Sequence, residues 1–323
     1  MKKLFLSATA IATVMSASAF AADLPSVKSA PVVAPAPIWT GFYAGLNTGY
    51  GFGTNDNAYA STWEPQGFTA HQGGSPIMPL SGVGLAQSGS VSNNQNGFIG
   101  GFQTGYNYQF KENFLVGLEA DIQGTNIGGS GNRSGFGYNQ TDLNNGSATT
   151  IGDVQVSSGV DWLGTVRGRA GYLWNPSLLL FGTAGLTYGG VHSNITNLAN
   201  TQYVDISNPE VEVGVQTFYG TTSRAETLVG WNAGGGLEWM VSQNWSVKAE
   251  ALYWNLGNIN VNTTAVSPNA GSWLWTAVGQ PLGRIPASAA SGNTNINYQG
   301  IIARAGINYH FNFASVAPVV AKF

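Results

Sequence analysis

Apolar and polar residues alternate along the segment GFIGGFQTGYNYQF at positions 97–110. Bulky apolar side chains such as Phe98, Phe102 and Tyr106 occupy even positions, whereas the odd positions carry mainly Gly, Gln and Asn. A period of two predicts a β-strand with one apolar and one polar face. The apolar face can point into a protein core or out into lipid, and the rest of the chain decides between them.

The same alternation predicts eight strands along the chain. We expect them at 39–53, 97–110, 114–124, 159–174, 178–190, 227–241, 245–256 and 298–313. Most are longer than the five or six residues that are usual in soluble proteins, and they match the roughly 9–11 residues that a tilted strand needs to cross a membrane.

The predicted connections alternate between short and long. Three-residue turns at 111–113, 175–177 and 242–244 close hairpins. Long segments rich in Gly, Asn, Ser and Thr lie between the hairpins, at 54–96, 125–158, 191–226 and 257–297. Short turns at one end and long loops at the other are typical of an outer-membrane barrel.

Three-residue turns preserve the odd or even numbering of a face across a hairpin, so the polar face can be followed through the strands. That face collects nine charged residues, namely Glu119, Asp121, Asp161, Arg167, Arg169, Glu238, Lys248, Glu250 and Arg304. Counting outwards from the turns places Glu238 opposite Lys248 and Gln103 opposite Asp121. In a lipid-facing barrel these charges point into the lumen, where opposite charges pair.

Composition favours lipid outside the barrel. Only 8 % of the residues are charged and 12 % are aromatic, which is too little charge for a soluble outer surface of this size. The 45 glycines would leave an apolar core poorly filled. Aromatic residues also gather near the short-turn end, as a membrane girdle requires: Tyr108, Phe110, Trp174, Trp239, Tyr309 and Phe311. We therefore predict an all-β, eight-stranded antiparallel transmembrane β-barrel with short periplasmic turns and long extracellular loops.

The N-terminus has the features of a secretory signal peptide. Two lysines precede an apolar stretch, and Ala19-Phe20-Ala21 fits the small-residue cleavage rule, so residues 1–21 are predicted to be removed. A proline-rich periplasmic lead follows at 22–38, then the barrel at 39–313 and a tail at 314–323, with no further domain expected.

The net charge of −3 and the absence of basic clusters argue against a nucleic-acid partner.

Two long stretches also resemble a known family. VRGRAGYLWNPSLLLFGTAGLTYG (166–189) and VGWNAGGGLEWMVSQNWSVKAEALYWNLG (229–257) are similar to the small outer-membrane barrels of alpha-proteobacteria. These are called outer membrane immunogenic proteins or porin-family proteins and are related to the OmpA-type barrel. Residues 97–124 resemble the second and third strands of that family, and residues 301–311 resemble its last strand.

The resemblance implies eight antiparallel strands, residence in the cell outer membrane and a closed or very narrow lumen. It does not imply an enzymatic activity, and we predict that the protein is not an enzyme. The expected partners are outer-membrane lipid including lipopolysaccharide, the barrel-assembly machinery, and host or surface molecules that contact the loops. We predict a structural outer-membrane protein and surface-exposed antigen or interaction platform with a largely plugged lumen.

The sequence offers little for catalysis or metal binding. There is no cysteine, and the three histidines, His71, His192 and His310, have no metal-ligand spacing or catalytic motif around them. No cofactor is expected. Two alternatives to a structural barrel stay open: a narrow-channel porin that uses the lumen charges for ion selectivity, and a loop-built enzyme that modifies lipid or peptide.

Overall fold

The computed structural model describes residues 39–55, 57–63, 71–72, 75–76, 82–141, 146–205, 212–268, 273–275, 281–284 and 288–311. The predicted signal peptide, the proline-rich lead and the C-terminal tail lie outside these residues.

Within the described ranges the chain forms fourteen strands and one short helix. The elements are β1 (Gly41–Gly53), β2 (Asn57–Trp63), β3 (His71–Gln72), β4 (Ser75–Pro76), α1 (Val83–Gln87), β5 (Gly89–Ser92), β6 (Asn96–Phe110), β7 (Phe114–Thr141), β8 (Gly146–Asn175), β9 (Leu178–Asp205), β10 (Glu212–Met240), β11 (Trp245–Val266), β12 (Trp273–Trp275), β13 (Pro281–Arg284) and β14 (Ser288–Phe311). No helix in this part of the chain has the length and apolar character needed to cross a membrane.

Eight of the strands close into a ring. Their order is β1, β6, β7, β8, β9, β10, β11 and β14, and β14 pairs back with β1. Phe42 illustrates the closure, because it stands opposite Tyr106 of β6 on one side and Phe311 of β14 on the other. Every pairing in the ring is antiparallel. The prediction of an eight-stranded antiparallel barrel is confirmed.

Short turns join β6 to β7, β8 to β9 and β10 to β11, as predicted. Lys111 and Glu112 have φ angles of 46° and 58°, the left-handed conformation of a tight hairpin whose twist matches that of its strands. The predicted registers are also present, with Gln103 opposite Asp121 and Glu238 opposite Lys248.

The apolar faces of the barrel strands point outwards. Phe98 is 67 % exposed, so the apolar face of its strand points out of the barrel and not into a core. The six aromatic residues predicted for the short-turn end are all exposed as well. Other exposed apolar side chains of the same band are Leu46, Leu118, Ile122, Leu186, Val229 and Ile301.

Most of the segments expected to be loops continue as strands. β7 runs to Thr141 rather than ending near residue 124, and β8 begins at Gly146 rather than near 159. The 28 residues of β7 span roughly 90 Å at about 3.3 Å per residue, several times the length that lipid requires. In these extensions β-branched residues such as Val154 and Val156 face inwards, and polar residues such as Gln155 occupy outward positions, the pattern of a sheet with one face in water.

A segment of chain covers the upper part of β7, above the point where β6 begins opposite Gly128. We call residues 82–94, which include α1 and β5, the closing segment. β5 pairs with β2, and β2 pairs with β14, so the segment extends the sheet. It runs along β7, where a Cβ atom added at Gly131 or Gly135 would overlap the backbone of Ser92 or Ala86. Gln87 is fully buried and its Nε2 donates to the carbonyl oxygen of Leu198 on β9, at 2.9 Å. Glycine on the inner face of β7 therefore makes room for a second piece of chain.

Buried side chains fill the barrel in layers. At the short-turn end is the basal cluster, made of Trp39, Leu115, Leu173, Leu179, Phe181 and Met240. The extended half holds a larger apolar cluster, the upper core, made of Ala58, Ala60, Val91, Ile99, Ile127, Val154, Val156, Val160, Leu163, Val191, Ile195, Trp254, Leu256, Ile259, Val261, Ile296, Tyr298 and Ile302. Val83 of α1 packs with Ala199, Phe218 and Ala265 above it.

Candidate functional site

Between the basal cluster and the upper core lies a layer of ionised side chains. Successive side chains of a strand point to opposite faces. Each of these residues therefore faces the lumen, because its neighbours on the same strand face outwards. Eight of the nine predicted residues form this charged layer, and each is at least 95 % buried: Glu119, Asp121, Arg167, Arg169, Glu238, Lys248, Glu250 and Arg304. With four acidic and four basic groups, the layer is formally neutral.

Arg167 lies at the centre of the charged layer. Its Nη1 donates to Oε1 of Glu250 at 2.7 Å, and its Nη2 donates to Oδ2 of Asp121 at 2.9 Å and also to Glu119. The three carboxylates come from β7 and β11, which are not neighbours in the ring. Arg167 therefore ties together strands on different sides of the lumen.

Two further cations, Arg304 and Lys248, bind the same three carboxylates as Arg167. Arg304 donates from Nε to Oε2 of Glu250 at 2.8 Å and from Nη2 to Oδ2 of Asp121 at 2.9 Å. Lys248 donates from Nζ to both carboxylate oxygens of Glu119, at 2.9 and 3.0 Å. Although Lys248 stands opposite Glu238 in register, its ion pairs are with Glu119 and Glu250.

Glu238 instead pairs with Arg169 on the side nearer the short turns. The same carboxylate accepts hydrogen bonds from Nδ2 of Asn308, at 2.7 Å, and from the hydroxyl of Ser246. The Arg169 guanidinium also stacks 4.0 Å from the ring centre of Phe181 in the basal cluster, a cation–π contact. Buried charges of this kind are tolerated only when both ion pairs and hydrogen bonds satisfy them.

The predicted position of Asp161 is corrected by the structure. Its side chain is 59 % exposed outside the barrel, with Oδ1 3.0 Å from Nδ1 of His192. The reason is a β-bulge between Val160 and Trp162 that interrupts the pairing of β8 with β9. One extra residue reverses which positions face inwards, so counting by twos fails beyond it.

Several residues of the layer went unnoticed in the sequence. Tyr43 is fully buried and donates from its hydroxyl to Oε2 of Glu119 at 2.6 Å. Its position could have been found, because Phe42 and Leu46 mark the outward face of β1 and Tyr43 has the opposite parity. Ser246, Asn308 and His310 likewise stand at inward positions, but nothing in their type marks them as partners of a carboxylate.

Comparison with known proteins bears on this arrangement. No protein-family model matches the chain. The 31 kDa outer-membrane immunogenic protein of Brucella melitensis is 32 % identical over 256 residues, which cover 78 % of this chain and 86 % of that protein. The chain belongs to the outer-membrane immunogenic protein family. It is an outer-membrane β-barrel. In barrels of this class the short turns lie on the periplasmic side.

Other similarities are more distant. The 22 kDa outer membrane protein of Rhizobium leguminosarum is 28 % identical over 176 residues, covering 54 % of this chain and 61 % of that protein. Among solved structures, OprG of Pseudomonas aeruginosa aligns with a TM-score of 0.35 and 10 % identity over 84 % of this chain and 96 % of its own. Ail of Yersinia pestis aligns with a TM-score of 0.26 and 12 % identity over 83 % of this chain and 99 % of its own.

A serine, a histidine and a glutamate do meet in this family member, on the short-turn side of the charged layer. Nε2 of His310 lies 2.9 Å from the Ser246 hydroxyl and 3.5 Å from Oε1 of Glu238. A hydrolase triad needs the carboxylate on one ring nitrogen and the serine on the other. Here both approach the same nitrogen, and all three residues are at least 98 % buried.

No group of three or more His, Cys, Asp or Glu side chains in the described ranges is placed to hold a metal ion.

Proposed function

We propose that this protein is a structural outer-membrane barrel whose lumen is closed to solutes. The observation that carries the proposal is the continuous filling of the interior by the basal cluster, the charged layer, the upper core and α1. An eight-stranded barrel is only just wide enough for side chains to fill its interior. A solute would have to displace ion pairs first and a close-packed apolar core next.

A narrow channel is the second candidate, and one observation favours it. In the charged layer, Nε of Arg167 and Oδ1 of Asp121 have no protein hydrogen-bond partner among the described residues. The buried side-chain amide of Asn107 also lacks a partner there. Buried polar atoms of this kind usually bind water. A file of waters through the layer would conduct small ions weakly.

Planar-bilayer recording separates the two candidates. Purified protein that shows the heat-dependent gel mobility of a folded barrel is expected to give no large, steady single-channel currents. Such currents, if they persist across preparations, would replace the closed-lumen proposal with the porin. Activity on lipid or peptide substrates, lost on substitution of a named residue, would favour the enzyme alternative instead.

We further propose that the part of the barrel outside the cell serves as a surface antigen and interaction platform. Two features support this: the relatives named immunogenic, and the length of β7 to β10 beyond the lipid band. Antibodies raised against the β7–β8 hairpin should label intact cells. Labelling that requires permeabilised cells would contradict the proposed orientation.

Export and processing remain part of the proposal. The mature protein is expected to begin at Ala22 after removal of residues 1–21, and N-terminal sequencing of the outer-membrane fraction measures this. A mature chain that retains the N-terminal lysines would contradict it.

A further inference from the structure

An uncharged polar surface lies on the outside of the barrel above the lipid band. It is formed by outward residues of three adjacent strands, β11, β14 and β2. We call it the amide face, and its members are Asn258, Asn260, Asn262, Asn293, Asn295, Asn297, Tyr59 and Trp63.

The six asparagines form a ladder across β11 and β14. Asn258 stands opposite Asn297, Asn260 opposite Asn295, and Asn262 opposite Asn293. In two of these rows a side-chain hydrogen bond links the amides, from Nδ2 of Asn295 to Oδ1 of Asn260 at 2.9 Å and from Nδ2 of Asn293 to Oδ1 of Asn262 at 2.8 Å.

These bonds leave part of each amide available. In each row the donor keeps its carbonyl oxygen and the acceptor keeps its NH2 group, and neither has another hydrogen-bond partner within the described ranges. Since an amide offers two donors and an acceptor, the ladder presents alternating donors and acceptors on a flat sheet. A ligand rich in hydroxyl groups can use both, because each hydroxyl donates and accepts.

Two aromatic rings border the ladder on β2. Tyr59 stands opposite Asn295 and is 58 % exposed, and Trp63 stands opposite Ser291 and is 50 % exposed. Exposed rings beside amides offer a large apolar contact area next to polar groups, which suits a ligand with both characters. The ring of a sugar has this combination, with C–H groups on its faces and hydroxyls at its edge.

Charge narrows the choice of ligand. Residues 57–63, 253–266 and 288–300 contain no Asp, Glu, Lys or Arg, although a surface in water usually carries about a quarter to a third charged residues. Phosphate groups are bound by Arg and Lys, and the three strands of the face supply neither. Arg224 of the neighbouring β10 reaches the edge of the face, where Nη1 donates to the main-chain carbonyl oxygen of Asn260 at 2.9 Å, but its charge is paired with Glu226 at 3.0 Å. The face is therefore suited to neutral sugars and unsuited to the phosphorylated headgroup of lipid A.

The location identifies the source of the sugar. Two of these strands, β11 and β14, continue downwards into the lipid band, where Tyr253 and Ile301 stand opposite each other. A lipopolysaccharide molecule anchored beside these strands has its sugar chain at the level of the amide face. We propose that the amide face binds the neutral sugar chain of lipopolysaccharide. This inference rests on the outer-membrane location and is independent of whether the lumen conducts.

Binding of the folded, full-length protein to three probes tests the proposal. The probes are smooth lipopolysaccharide from the producing bacterium, the polysaccharide released from it by mild acid, and lipid A. We expect the first two to bind with similar affinity and lipid A to bind more weakly. Tyr59→Ala and Trp63→Ala should each weaken polysaccharide binding about tenfold, the loss of one aromatic contact.

Phe136→Ala supplies the matched control. Phe136 is an aromatic residue, 64 % exposed, on the extracellular part of β7 and away from the ladder. It should leave polysaccharide binding unchanged, and all variants should keep the gel mobility of the folded barrel. Lipid A binding as tightly as smooth lipopolysaccharide would overturn the proposal, as would equal losses in all three variants. Preference for a sulfated host-type glycan over the bacterial polysaccharide would also overturn it.

Discussion

The charged layer and the upper core fill the same barrel with opposite chemistry. Along β8, Arg167 faces inwards and Val166 outwards in the lower part, whereas Val156 faces inwards and Gln155 outwards in the upper part. The difference follows from what surrounds the barrel wall. Where lipid covers the outside, the polar side chains must face the lumen. Where water covers the outside, the apolar side chains can face the lumen instead.

The change between the two regions coincides with irregularities in the strands. β8 has its bulge between Val160 and Trp162, and β11 shifts register between Asn255 and Gly257. Gly257 has a φ of 85°, a conformation that favours glycine. Beyond these points the inward residues change from odd to even numbers in β8 and from even to odd in β11. Two of the strands therefore change phase where the surroundings change from lipid to water.

The largest effect is expected from breaking the charged layer. Arg167→Ala removes a buried cation that contacts three carboxylates, and it should lower the free energy of unfolding by about 3–5 kcal/mol because those charges lose their partner. Urea unfolding in detergent micelles, followed by gel mobility, measures this. Arg224→Ala is the control, since its ion pair with Glu226 is partly exposed and should contribute less than about 1 kcal/mol. Equal effects would mean that the layer is hydrated rather than buried.

The sequence predicts the lower region far better than the upper one. There, three tight turns and unbroken alternation determine the register, so positions such as Arg169 and Glu250 follow from counting. Asp161 does not follow, because a bulge leaves no mark in one sequence. The upper strands are rich in Gly, Asn, Ser and Thr, which on composition indicate loops. The alternating valines at 154 and 156 were the available signal that these segments are strands.

The closing segment was beyond sequence reasoning for a different reason. Five helical residues at Val83–Gln87 carry no amphipathic period long enough to detect. Their position depends on glycines of β7 more than forty positions later in the chain, and contacts between such distant residues are not encoded in any local pattern.

The second effect concerns the upper core. Ile195→Ala removes fully buried apolar atoms and should lower the free energy of unfolding by about 2–5 kcal/mol, the usual result of a cavity in a close-packed core. Its neighbour Asn194 is exposed on the outer face, and Asn194→Ala should change stability by less than about 0.5 kcal/mol. A small effect of Ile195→Ala would indicate that the upper region is loosely packed or water-filled.

The third effect tests the fit between the closing segment and β7. Gly131→Ala places a methyl group against the carbonyl oxygen of Ser92, and the resulting displacement should lower stability by about 1–3 kcal/mol. Limited proteolysis of the folded protein should then cleave the closing segment faster. Gly124→Ala on the same strand is the control, because its methyl group would meet nothing within 4 Å. Similar proteolysis of both variants would mean that the segment does not depend on contact with β7.

The smallest effect is expected at Asp161. It tests whether this residue faces outwards, as in the structure, or into the lumen, as counting along the strand predicts. Asp121→Asn removes a carboxylate charge that two arginines contact at 2.9 Å, so it should destabilise the barrel strongly. Asp161→Asn alters an exposed pair with His192 and should change the free energy of unfolding by less than about 1 kcal/mol. Added salt should reduce even that difference, because exposed charges are screened whereas buried ones are screened much less. If Asp161→Asn instead destabilises the barrel as much as Asp121→Asn, the bulge is misplaced and Asp161 belongs to the charged layer.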